Sequence, residues 1–175
     1  WHMNEVLHIM MKDSDNRLAE SLFWQLSTFG GGQFGDIKSV VSNIESVLQR
    51  AGIPKDSGYR IADGSGLSLY NYITPQMLNA LLVYAWWQQD IRAHLVPSLP
   101  IGGVDGTLKK RFHGTSAYNN IFAKTGTVSG ISSLSGYANG GNGHVISFCI
   151  INQGVQRGSI GRNFQDQVCI ALTEK

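Results

Sequence analysis

Three strand-like runs stand almost back to back late in the chain, at Ile121 to Val128, Ser132 to Asn139 and His144 to Asn152. Gly140-Gly141-Asn142-Gly143 between the last two is a hairpin signal. Strands joined by connections this short pair antiparallel, because a parallel pair needs a crossover of a dozen residues or more. A helical stretch from Arg162 to about Thr173 closes the chain, and helices are gathered ahead of the strands. The expected fold class is therefore α+β, an antiparallel sheet covered by helices. Three strands are a small platform for this many helices, and an unpaired apolar edge invites association, so further strands from outside this chain are expected.

The helical part begins with Val6, Leu7 and Met10, then Leu18, Leu22, Phe23 and Leu26, recurring at helical spacing between Asn4 and Ser27. Asp13-Ser14-Asp15-Asn16 interrupts them. Ser, Asp and Asn bond nearby backbone better than they extend a helix, so the ordinary role of this break is a helix cap. Gly30-Gly31-Gly32 ends the unit, and Ile37, Val40, Val41, Ile44, Val47 and Leu48 mark an amphipathic helix closed by Gly52 and Pro54. Tyr59 to Ala62 reads as a short strand leading into a tight loop, Asp63-Gly64-Ser65-Gly66-Leu67-Ser68. Thr74-Pro75 has the form of a cap and first helical residue, starting a helix through about Trp87. From Ile91 to Asn119, Pro97, Pro100, Gly102, Gly103 and Gly106 predict short helical turns and loop. No repeat or linker divides residues 1–175, which read as a single unit, with Trp1-His2-Met3 possible cloning residues.

Composition excludes several function classes. With 42% hydrophobic residues in 175 the chain is expected to bury a core. A net charge of +2, with Lys109-Lys110-Arg111 as its one basic cluster, is no nucleic-acid footprint. No apolar run has the length of a bilayer span, and no signal-peptide pattern is expected at the start. Cys149 and Cys169 fit no metal spacing and read as two buried thiols, a disulfide being the less favoured option. No metal or cofactor is expected.

Two short motifs carry chemistry, Ser14-Asp15-Asn16 and Lys124-Thr125-Gly126-Thr127. Ile121-Phe122-Ala123 before and Thr127-Val128 after place Lys124 on a strand, with Gly126 where a missing side chain admits another backbone or a ligand. A serine three residues ahead of a lysine, the usual companion of these motifs, is absent. The seven lysines, Lys12, Lys38, Lys55, Lys109, Lys110, Lys124 and Lys175, are preceded at that distance by Ile9, Gly35, Gly52, Gly106, Thr107, Ile121 and Leu172. Thr107 and Lys110 have the spacing, but a stiff β-branched hydroxyl inside a charged run reads as chance.

Ser14-Asp15-Asn16, the Asp63 to Ser68 loop, Phe122-Ala123-Lys124-Thr125-Gly126-Thr127 and Ser135-Gly136-Tyr137 occur in this order. Together they resemble the class C low-molecular-mass penicillin-binding proteins, the D-alanyl-D-alanine carboxypeptidases and endopeptidases of bacterial cell-wall metabolism. The resemblance runs from about Asn4 to the C-terminus. It implies the C-terminal part of a β-lactamase/transpeptidase-like fold, without the N-terminal half that holds the nucleophilic serine, its lysine and two sheet strands. It also implies a periplasmic or other extracytoplasmic location.

By the same resemblance Ser14 relays a proton toward the leaving amine, and Asn16 holds the substrate's amide. Lys124 supplies positive potential for a terminal carboxylate, and Thr125, Gly126 and Thr127 form the substrate-binding strand. The Thr127 N–H resembles half of an oxyanion hole. The implied partners are peptidoglycan stem peptides ending in D-Ala-D-Ala, β-lactam antibiotics and the missing N-terminal half. The chain alone is expected to be inert, since it carries no nucleophile. A non-catalytic module that binds peptidoglycan peptides, and a β-lactamase or esterase on the same fold, are the alternatives.

Overall fold

The computed structural model describes residues 2–174. Its elements in chain order are α1 (Met3–Asp13), α2 (Asn16–Gln25), α3 (Ile37–Arg50), α4 (Pro75–Trp87), α5 (Gln89–Ser98), β1 (Ile121–Val128), β2 (Ile131–Asn139), β3 (Val145–Gln153) and α6 (Gly158–Glu174). Short 3-10 turns follow α2 and precede β1, at Leu26–Gly31 and Gly106–Leu108. The α+β expectation holds: the strands form an antiparallel sheet in the order β1-β2-β3.

The helix boundaries have local causes. Asp36 caps α3 by accepting from the Lys38 and Ser39 amides, and Gly52, at φ +78°, reverses the chain so that the Ile53 N–H reaches the Leu48 carbonyl at 2.9 Å. Ile53 is buried beside Leu48 and Met77, so this turn also closes a small core. Thr74 caps α4 by accepting from the Met77 N–H at 3.2 Å, with Pro75 in the first helical position.

Three expectations need correction. The first eight residues of the stretch from Ile91 to Asn119 belong to a ten-residue helix, α5, longer than the short helical turns expected, while the rest is turns and loop as expected. Pro97 stands one residue before the helix's last, Ser98, so the backbone bond it forfeits and the disruption it brings fall where the helix stops. Tyr59 to Ala62 forms only an isolated bridge, Arg60 to Tyr72. The final helix begins at Gly158, four residues before Arg162.

The two sheet faces are covered differently. On one, Ile121, Ala123, Leu134, Ala138 and Phe148 pack with Cys169 of α6. Gly161 lets α6 approach so closely that a Cβ there would lie 2.9 Å from the Ser132 Cβ. Gln165, fully buried, donates to Ser132 Oγ and Asn152 Oδ1 at 3.1 Å each, and Arg111 ties α6 to the preceding loop through Asp166. On the other face Tyr137 stacks obliquely on Trp86 of α4 and donates its hydroxyl to the Leu82 carbonyl at 2.7 Å. Gly136 is required beside it, since a Cβ would lie 2.1 Å from the Phe122 carbonyl oxygen.

Cys149 and Cys169 are free. Phe148 faces α6 and its neighbour Cys149 points to the opposite face, so the sheet separates the two thiols. Burial pushes the Cys149 thiol up to about 11 and that of Cys169 to about 12, which leaves both as inert protonated thiols.

Candidate active site

The polar break between α1 and α2 divides its labour between neighbours. Asp15 is the cap, accepting from the Arg17 N–H at 2.8 Å and the Leu18 N–H at 3.0 Å. These bonds, that of Leu18 foremost, hold its carboxyl below the usual range. Ser14 stands one residue earlier, in the left-handed region at φ +57°, where it ends α1. With the capping done by Asp15, the Ser14 side chain turns to the sheet. Its Oγ accepts from Lys124 Nζ at 2.7 Å, across 110 residues of sequence.

Lys124 comes from the middle of β1, cross-strand from Ser135, and its ammonium also donates to the Thr125 carbonyl at 2.7 Å. Among the described residues no carboxylate lies within ion-pair distance of it. Burial favours the neutral form and lowers its pKa from the ordinary 10.5. A half-buried cation with two neutral oxygen acceptors attracts an anion, and a lysine of lowered pKa against a serine hydroxyl can pass a proton.

Ser14, Asn16, Lys124 and Thr125 meet in a cleft of about 690 Å³ between α1, α2, the Asp63 loop and β1. Asn16 is the first residue of α2 and exposed there. The far wall is apolar, with Met10, Leu22, Phe23, Leu26, Phe29 and Ile44. Gly126 and Thr127 lie further along β1, outside the cleft lining, and the group nearest to Gly126 is the Ser133 hydroxyl across the sheet.

The edge of β1 has a direction of its own. The Ala123 N–H reaches outward to the Pro100 carbonyl at 3.0 Å, and the Ile121 carbonyl accepts the Gly102 N–H at 2.8 Å. Strand alternation turns the Thr125 and Thr127 amides to the same outer side, past the point where that loop has left the strand. An extended chain laid there gains a ladder of backbone bonds next to Lys124.

The loop after α3 is organised by a carboxylate. Asp63 accepts from the Gly66 N–H at 2.7 Å, the Ser68 N–H at 2.6 Å and Asn71 Nδ2 at 2.8 Å, while Glu20 of α2 takes the Ser65 N–H at 3.0 Å. Gly64 permits the docking, as a Cβ would lie 2.5 Å from that of Phe23. The sequence shows this glycine-serine loop as a turn but gives no sign that Asp63 and Glu20 shape it. It is equally silent on Lys12 and Asp105, an ion pair at 2.7 Å that ties the last turn of α1 to the loop ahead of β1.

The D-Ala-D-Ala carboxypeptidase 3 (S13) family model matches residues 2–175. The chain is 36% identical over 180 residues to the D-alanyl-D-alanine carboxypeptidase of Actinomadura sp. (strain R39), covering 98% of this chain and 32% of that protein. It is 32% identical over 158 residues to D-alanyl-D-alanine carboxypeptidase DacB of Haemophilus influenzae, 89% of this chain and 33% of the relative. The chain thus spans about a third of the length of the curated relatives it matches. Penicillin binding protein 4 from H. influenzae, solved in complex with a β-lactam, superposes with a TM-score of 0.80 at 29% identity, over 94% of this chain and 41% of that one. An extended-spectrum β-lactamase at 16% identity and a TM-score of 0.65, over 99% of this chain and 62% of that one, shares the fold alone. On motif order, fold and match together, the chain belongs to the D-Ala-D-Ala carboxypeptidase (S13) family.

Proposed function

We propose that these residues form the proton-relay and carboxylate-binding side of a penicillin-sensitive serine D-Ala-D-Ala carboxypeptidase/endopeptidase acting on peptidoglycan stem peptides outside the cytoplasm. The observation that carries this reading is the Lys124 to Ser14 contact, formed in a cleft beside an open strand edge. The nucleophilic serine and its lysine come from residues outside these 175, as does the cover for the apolar wall of the cleft and for the outer edge of β3.

In the proposed reaction a stem peptide lies along β1 with its terminal carboxylate toward Lys124 and the Thr125 hydroxyl. The nucleophilic serine oxygen attacks the penultimate D-Ala carbonyl, whose developing oxyanion is met by the Thr127 N–H. As the C–N bond breaks, Ser14 gives its proton to the leaving amine and recovers one from Lys124 or the nucleophile. Asn16 holds the acyl part of the peptide. Water then hydrolyses the ester, and a β-lactam follows the same first step without the second at useful speed.

The test is covalent labelling of the full-length protein by a fluorescent penicillin, read by intact mass. A stoichiometric adduct is expected on a serine outside residues 1–175, with this chain alone unlabelled. No adduct on the folded full-length protein sinks the proposal. The absence of any serine three residues before a lysine favours a second reading, a module that binds D-Ala-D-Ala peptides without cutting them. It predicts reversible binding by calorimetry, weakened in Lys124→Ala, and no labelling.

A further inference from the structure

Thr107, whose spacing to Lys110 has no chemical sense as a nucleophile motif, is placed by the fold against the site itself. Its Oγ1 accepts from the Thr125 Oγ1 at 2.9 Å. The turn that carries it is fixed with unusual care for an exposed residue. Lys12, almost wholly buried in the last turn of α1, donates to the Leu99 carbonyl at 2.6 Å and to both Asp105 carboxylate oxygens at 2.8 and 2.7 Å. Asp105 Oδ1 also accepts the Ile101 N–H at 2.8 Å.

Gly106, at φ +53°, lies so close under α1 that a Cβ would stand 2.7 Å from the Lys12 carbonyl oxygen. The same loop is bonded to β1 at Ala123 and Ile121. One short segment therefore holds both the end of α1, two residues before Ser14, and the strand that carries Lys124 and Thr125. A lysine–aspartate pair with the ammonium buried and the carboxylate more than a third exposed is a weak stabiliser, because the ammonium loses its water and the carboxylate is screened by solvent. Its effect here is geometric.

We propose that Thr107, held by the Lys12–Asp105 pair and Gly106, is a positioning residue that orients the Thr125 hydroxyl for an anionic ligand group. A hydroxyl donates once and accepts twice. In the free site Thr125 donates to Thr107. When a carboxylate arrives beside Lys124, Thr125 turns its proton to the carboxylate and takes the Thr107 proton in exchange, so neither hydroxyl is left unpaired. This inference rests on the carboxylate-binding reading given above.

The test compares acylation rates of the full-length protein by a penicillin and by its methyl ester, which lacks the negative charge. Thr107→Val should slow the penicillin by up to about tenfold, the worth of one hydrogen bond between neutral groups, and leave the ester rate nearly unchanged. Thr107→Ser should keep the wild-type ratio. Thr107→Ala reports the same ratio should valine at this turn impair folding. An equal fall for both ligands, or no fall for either, overturns the inference. No labelling of wild-type protein, or no preference for penicillin over its ester, overturns the carboxylate reading beneath it.

Discussion

On the α6 face of the sheet Ile121, Ala123, Leu134 and Cys169 are fully buried, and the polar groups among them, Ser132, Asn152 and Gln165, bond one another. On the Lys124 face the same strands present a half-buried ammonium, a serine hydroxyl in a strained helix end and a cleft walled by apolar side chains. The first face is finished within these residues. The second keeps a charge partly away from water with no carboxylate partner among the described residues, an arrangement that costs stability. On the function proposed above, one sheet serves as scaffold on one side and as reactive surface on the other.

Ser14→Ala probes the open face most severely. Loss of the relay hydroxyl should slow acylation of the full-length protein by about 100- to 10,000-fold, the span of general acid–base catalysis, with a change in unfolding midpoint too small to explain it. Acylation within tenfold of wild type would show that the contact with Lys124 is structural. Leu134→Ala is the counterpart on the closed face. It removes a side chain with 0% exposure and should cost about 2–5 kcal/mol in denaturant unfolding, while acylation by the remaining folded protein stays near normal. A variant that keeps its stability would mean the α6 face is loosely packed.

Gln165→Ala is expected to cost less, about 1–3 kcal/mol, because it strands the buried Ser132 hydroxyl and one Arg111 contact. The smallest effect is on pH. Burial lowers the Lys124 pKa from 10.5, so its positive charge is present below the folded value and is lost as pH rises through it. The alkaline fall in acylation should begin below pH 10.5 and disappear in Lys124→Arg, whose cation persists. The same sign makes the charge a burden on folding below that value, so Lys124→Met should raise the neutral-pH unfolding midpoint. That gain should vanish above pH 10.5.

The parts of this contrast were unequally legible in the sequence. The strands, the hairpin and the cap at Thr74 have local signals, and the structure places them within a residue or so of expectation. Helix α5 was hidden because Pro97 reads as a breaker, although it falls one residue before the helix's own end and so interrupts nothing beyond it. Ser14 and Lys124 were visible as motif residues, but a cap and a relay look alike in sequence. Only the fold assigns the cap to Asp15 and brings Ser14 to Lys124. Lys12, Asp105 and Thr107 left no local trace, since an ion pair between residues 93 apart has no periodicity to betray it.

The central claim is that the Lys124 face is a reactive surface rather than unfinished core. It is tested most directly by the acylation rate of full-length Lys124→Met with a penicillin, measured beside its thermal unfolding. The account predicts a rate about 100- to 1000-fold below wild type in a protein that unfolds no earlier than wild type. A wild-type rate, or a loss of rate that follows a loss of stability, would contradict it.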